Sequence, residues 1–203
     1  GLGNIKRAFE VDNPYDYLMR VLEKHFTNIL VPGFTLDYFK QTGIFHKKFS
    51  KPHEGIGAFS KIFFERDSNY RTNDCIHSIL VKGDYDFNGC NHFESFGKEG
   101  CFGKLDKENT LILNIGTDEL KASQIHYVDY NYNPNIIKKS YNGIIYFDEK
   151  TYAEITQHNF ESRKNIIGLK YNWNRNKITR DLEHAGILKN HSCGNFKIYA
   201  FKS

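Results

Sequence analysis

No apolar run in this chain approaches the roughly 20 residues that a membrane-spanning helix needs. The N-terminus also lacks the basic, apolar and small-residue succession of a secretory signal, so a soluble, cytoplasmic protein without a membrane partner is expected. Cysteine is scarce: Cys75, Cys90, Cys101 and Cys193 are too widely and irregularly spaced for a zinc pattern, and reduced thiols are the expectation. Nine histidines include no His-x-His or His-x-x-x-His pair, so no metal is expected. Charge of one sign is not gathered anywhere. The 28 Lys+Arg and 24 Asp+Glu, net +4, are interspersed, which suits an anionic small molecule and falls short of a nucleic-acid footprint. The single tryptophan, Trp173, with Tyr171, Arg175, Lys177 and Arg180, reads as a helix entry with a solvated basic face rather than a stacking platform.

At 203 residues, without repeats or a linker, residues 1–203 are expected to form a single domain able to bury a core without staples. Pro14 after Asp12 and Asn13 opens a helix carrying Tyr17, Leu18, Val21, Leu22 and His25. Residues 27–31 read as a buried strand ending at Pro32-Gly33, followed by a loop through Phe34, Thr35 and Asp37. A helix over 59–64, a strand over 79–81 and a glycine-rich loop from Asp84 to Lys104 follow. Strands are predicted over 110–115, 141–147 and 196–201, with a helix from Asp181 stopped by Gly186. The alternation favours an α/β class: one layered domain with a mixed central sheet flanked by helices.

The segment from Leu111 to Asp129 carries the chemistry. An apolar strand closed by Gly116 leads to a helix expected to begin at Thr117, with Asp118 and Glu119 in its first turn. On that helix Ser123, His126 and Asp129 are i,i+3 neighbours, so the imidazole has a hydroxyl on one side and a carboxylate on the other. A carboxylate fixes the histidine tautomer and raises its basicity, which suits proton removal near neutral pH. A histidine beside an acid is also common on helices with no catalytic role.

Four ordered segments together resemble the aminoglycoside 3-N-acetyltransferase family, acetyl-CoA-dependent enzymes outside the GNAT fold. They are Ile29-Leu-Val-Pro-Gly-Phe-Thr35, Arg71-Thr-Asn-Asp-Cys-Ile-His-Ser78, Phe96-Gly-Lys-Glu-Gly-Cys-Phe-Gly-Lys-Leu105 and Ala122-Ser-Gln-Ile-His-Tyr-Val-Asp129. The resemblance covers the chain to about Gly143 and is closest to members suited to acetylating amino sugars. This chain departs from the family pattern at Gly33 (Thr there), Asp74-Cys75 (His-Pro), Ser123 (Thr) and Asp129 (Glu). Family members also carry a strand and a His-Ser-Ser-type turn, which helps hold coenzyme A, just before the Leu-Gly that stands here at Leu2-Gly3.

The resemblance implies acetyl-CoA as co-substrate, no metal, and direct transfer to a primary amine of an amino sugar. His126 would be general base and Asp129 its orienting partner. Arg71 and Thr72 would lie in the phosphate and pantetheine region, Thr35 and Ser78 along the channel, and Gly3 at the end of the cofactor turn. On the acceptor side stand Asp37, His77, His92 and Ser123. The first three have a plain structural alternative: a solvated carboxylate for Asp37, a satisfied strand-start histidine for His77, an exposed loop histidine for His92. Cys101 with His92 as base would make an acyl-accepting thiol, a reading disfavoured because no cysteine stands in an evident low-pKa setting. An aminoglycoside acceptor, or a non-catalytic relative that binds CoA weakly, are the alternatives. A homo-oligomer is compatible with the sequence.

Overall fold

The computed structural model describes residues 1–160, 174–194 and 196–203. Tyr171 and Trp173 lie outside them.

Helix α1 (Leu2–Phe9) precedes α2 (Pro14–His25). The start of α2 follows the sequence: the Asn13 side chain accepts from Asp16 N at 3.0 Å, Pro14 occupies the first turn, and Lys24 and His25 face the negative end of the helix dipole. Its Tyr15, Met19 and Leu22 are buried at helical spacing.

The first sheet is antiparallel, in order β1-β4-β3: β1 (Ile29–Pro32), β3 (Tyr70–Arg71) and β4 (Ile79–Lys82). Alternation sends its side chains into two cores. Ile29, Val31 and Leu80 pack with α2 and with Phe63 of α4 (Ala58–Arg66). Ile79 and Val81 face the other way, against α5 (Cys101–Lys107) and α6 (Gln124–Tyr132) through Phe96, Phe102, Leu105, Tyr127 and Tyr130. Helices thus cover both faces, as the α/β class requires.

Among the described residues, two further three-stranded sheets stand in place of one continuous central sheet. β2 (Ile44–His46) pairs parallel with β6 (Lys138–Tyr146), which pairs antiparallel with β7 (Tyr152–Phe160). This mixed sheet packs on α3 (Leu36–Thr42) around Phe39, Phe45, Ile76 and Ile145. The order β5-β9-β8, all antiparallel, joins β5 (Leu111–Ile115), β9 (Phe196–Lys202) and β8 (Lys189–Cys193). Helix α7 (Arg175–His184) precedes β8, and Gly186 follows it at φ 71°. Its basic residues face solvent: Arg175 pairs with Glu119 at 3.0 Å and Lys177 with Asp181 at 2.5 Å.

Several elements differ from the expected ones. Asp37 lies in the first turn of α3, not in a loop, and the glycine-rich stretch ends in α5. The helix expected from Thr117 begins only at Gln124. The Thr117 hydroxyl donates to Asn114 Oδ1 at 2.7 Å, and Lys121 N donates to the same oxygen at 3.0 Å. A side-chain amide therefore folds residues 117–121 into a turn, and the hydroxyl expected to cap a helix is spent elsewhere.

Candidate active site

The short residues of the Phe96–Leu105 motif exist for close approach. A Cβ at Gly100 would sit 2.5 Å from the Glu94 carbonyl oxygen, and one at Gly103 would collide with that of Lys98. The coil before α5 is thereby pressed onto β7: His158 N donates to Phe93 O at 2.6 Å and Ser95 N to His158 O at 3.2 Å. This places Phe96, fully buried, at the centre of the site.

Two histidines meet Phe96. The ring of His77 lies 4.7 Å from it and that of His126 5.7 Å, centroid to centroid. Phe34 covers His77 at 4.9 Å and Phe160 covers His126 at 5.1 Å. Asn159 fixes the His77 tautomer. Its Oδ1 accepts from Phe160 N at 2.8 Å, so its Nδ2 is the donor to His77 Nδ1 at 3.1 Å. The His77 proton is then on Nε2. Burial first, then the neighbouring His126 and Lys40, hold the His77 pKa well below its ordinary value. His126 is also lowered: burial outweighs the raising effect of Asp129, and Arg175 adds to the lowering. Both imidazoles are neutral at pH 7.

Asp129 sits one turn after His126 in α6, where its Oδ1 accepts from Asn133 Nδ2 at 3.3 Å. Ser123 occupies the N-cap, and its carbonyl accepts from His126 N at 2.9 Å. Its hydroxyl makes no capping bond.

Arg71 is held inside the fold. It is 4% exposed, with Nε donating to Ser78 Oγ at 2.9 Å, Nη1 to the carbonyls of Ser50 at 2.5 Å and Lys47 at 3.3 Å, and Nη2 to the Gly33 carbonyl at 2.5 Å. The faces of Phe45 and Phe64 flank it at 4.7 and 5.1 Å. Burial brings its pKa down to about 9, still cationic at neutral pH. The other residues that the resemblance assigns to the cofactor are equally engaged. Ser78 Oγ donates to the Gly33 carbonyl at 2.7 Å, Thr72 Oγ1 accepts from Ile79 N at 2.9 Å, and Thr35 Oγ1 donates to the Cys75 carbonyl. Asp37 is exposed, and Gly3 stands in the exposed first turn of α1, where Asn4 Nδ2 reaches the Gly116 carbonyl at 3.0 Å. His92 is not an exposed loop histidine: it is partly buried, accepts weakly from Asn73 N at 3.4 Å, and lies 3.3 Å from Cys101 Sγ.

Asp74 is a buried carboxylate that the sequence did not single out as a site residue. Its Oδ1 accepts from Ile76 N at 2.9 Å and His77 N at 2.7 Å, which sets the His77 backbone. Burial pushes its pKa from 3.8 up to about 6. Because the folded value lies above the unfolded one, the stability this group contributes is complete below about pH 4 and is lost as pH rises through about 6. The shift corresponds to about 3 kcal/mol at neutral pH. Asp74→Asn keeps the accepting oxygen and cannot ionise, so its stability relative to the parent should improve between pH 4 and pH 7 in denaturant titrations. A difference independent of pH would contradict this.

The architecture is that of the AAC acetyltransferases. AAC-IIIb, solved as a binary complex with CoASH, superposes with a TM-score of 0.77 at 12% identity, over 95% of this chain and 79% of that one. The YokD protein from Bacillus subtilis superposes at 0.72 with 14% identity, over 93% and 75%, and AAC-VIa bound to sisomicin at 0.67 with 14% identity, over 92% and 79%. No curated protein matches in a sequence search. The family model for aminoglycoside 3-N-acetyltransferase matches residues 23–203. The chain therefore belongs to this family of acetyl-CoA-dependent N-acetyltransferases.

Among the described residues no helix is long and apolar enough to cross a membrane.

Proposed function

We propose that this protein transfers the acetyl group of acetyl-CoA directly to a primary amine of an amino sugar, with His126 as general base and Asp129 as its orienting carboxylate. The observation that carries this reading is the pair of neutral imidazoles, His77 and His126, packed on one buried aromatic wall in a chain of this family. Acetyl-CoA supplies an acyl group activated as a thioester. The work left to the protein is to deprotonate the amine and to meet the charge that develops on the acyl oxygen.

A lowered pKa favours the unprotonated His126 that accepts a proton at neutral pH, and Asp129 stabilises the imidazolium once it forms. His77, with Nδ1 occupied by Asn159, keeps a fixed Nε2–H and serves as a neutral donor. Phe34, Phe96 and Phe160 exclude water around both rings and strengthen each polar interaction. Ser123, Asp37 and His92 are retained as acceptor-side residues. Thr35, Arg71, Thr72, Ser78 and Gly3 are retained as the cofactor wall, with one change of role. The first four residues already bond to protein, so they shape that wall instead of gripping phosphate. The cations available for coenzyme A phosphates are Lys40, whose charge acts on His77, and Lys47, whose charge acts on His92 and which lies over the Tyr70 ring at 4.8 Å.

The acceptors to try first are sisomicin and apramycin, which the AAC-VIa and AAC(3)-IVa structures hold. The net charge of +4 favours a nucleotide-linked amino sugar as the second class. Calorimetry is expected to give acetyl-CoA affinity on the order of micromolar, and mass spectrometry an acceptor heavier by one acetyl group. Absence of acetyl-CoA binding would overturn the reading.

A further inference from the structure

Cys90 and Cys101 lie eleven positions apart in sequence and side by side in the fold. Asn91 N donates to the Glu99 carbonyl at 2.7 Å, which draws the coil through Cys90 against the start of α5. Both side chains then lie at the edge of one core, Cys101 buried and Cys90 half-buried, and the Cys101 thiol acts on Cys90 more strongly than any other group does. His92 Nδ1 stands 3.3 Å from Cys101 Sγ. We propose that Cys90, Cys101 and His92 form an oxidation-sensitive dithiol site that closes to a disulfide on exposure to a peroxide.

The three groups divide the work. The Cys101 thiol and the Lys104 ammonium stabilise a Cys90 thiolate, against burial and the Glu108 and Asp86 charges, and bring its pKa down to about 7. Cys101 is driven the opposite way, by Cys90 and by burial, and stays a thiol. Cys90 is thus the attacking sulfur and Cys101 the resolving one. The Cys90 thiolate attacks one peroxide oxygen: an S–O bond forms, the O–O bond breaks, and the leaving hydroxide takes up a proton as water. Cys101 Sγ then attacks the Cys90 sulfenic acid, its proton passing to His92 Nδ1. The S–S bond forms, the S–O bond breaks, and a second water leaves. Two thiols have lost two electrons and two protons, and one peroxide has become two waters. This chemistry consumes no acetyl-CoA and needs no amine acceptor.

The test uses the full chain, reduced, freed of reductant and treated with equimolar hydrogen peroxide. Intact mass should fall by two hydrogens, titratable thiols should drop from four to two, and peptide mapping should link Cys90 to Cys101, all reversed by dithiothreitol. In Cys101→Ala, Cys90 should stop at a sulfenic acid trapped by dimedone, and Cys90→Ser should leave Cys101 reduced. A parent protein that keeps four thiols, over-oxidises without the link, or joins Cys193 instead would overturn the proposal, and none of these readouts depends on a variant folding.

Discussion

His126→Ala is expected to lower kcat/KM for acetyl transfer by about 10²–10⁴-fold while leaving the Kd for acetyl-CoA within about twofold. Burial holds this imidazole below its ordinary pKa, and Asp129 acts in the opposite direction, in favour of the charged form. Its loss removes the proton acceptor but not the aromatic wall. The pH profile separates this role from packing. A general base works in its unprotonated form, and burial places the His126 pKa below the usual histidine range, so activity in the parent should rise with pH along a limb lying below about 6.5. Asp129 opposes that lowering, so Asp129→Asn should displace the limb further toward acid and reduce kcat. An active His126→Ala enzyme with an unchanged acidic limb would remove His126 from the base role.

Arg71→Met should cost about 3–5 kcal/mol of folding stability, read from urea unfolding midpoints. The guanidinium is held by three backbone carbonyls and a hydroxyl from positions 33, 47, 50 and 78. It joins the end of β1, the coil after β2 and the start of β4. Methionine fills similar space but leaves the Lys47 and Ser50 carbonyls without this donor in a dry interior, where each unmade bond costs about 1–3 kcal/mol. Arg71→Lys keeps a charge on a point donor that cannot span the four oxygens, and should recover only part of the loss. A change below about 1 kcal/mol in both variants would show that the carbonyls find water and that the residue is no keystone. A large rise in acetyl-CoA Kd at unchanged stability would return Arg71 to direct phosphate binding.

What the sequence made legible follows from which signals are local. Asn13-Pro14, the apolar run of β4 and the alternation of β9 each encode their element within a few residues, and each stands where expected. The Arg71–Ser78 and Phe96–Leu105 motifs were visible as motifs, but not the work of their residues. Arg71 reads as a surface cation until its four partners come in from across the chain. β7 went unseen because its inward positions are amides: Gln157 and Asn159 are buried, holding Cys75 N, Ser95 Oγ and His77 Nδ1, contacts that no hydropathy pattern announces. Asp74 and the Cys90–Cys101 contact were hidden for the same reason, since a carboxylate's burial and the meeting of two thiols are properties of the folded chain.

The crowded glycines before and within α5 bear on how this protein can evolve. Where a Cβ would strike the Glu94 or Lys98 carbonyl, backbone must move before any side chain is accepted, and the segment that moves is the one seating Phe96. Single-step drift is closed off there, whereas exposed positions such as Asp37 on α3 and Val128 on α6 face solvent and can change one residue at a time.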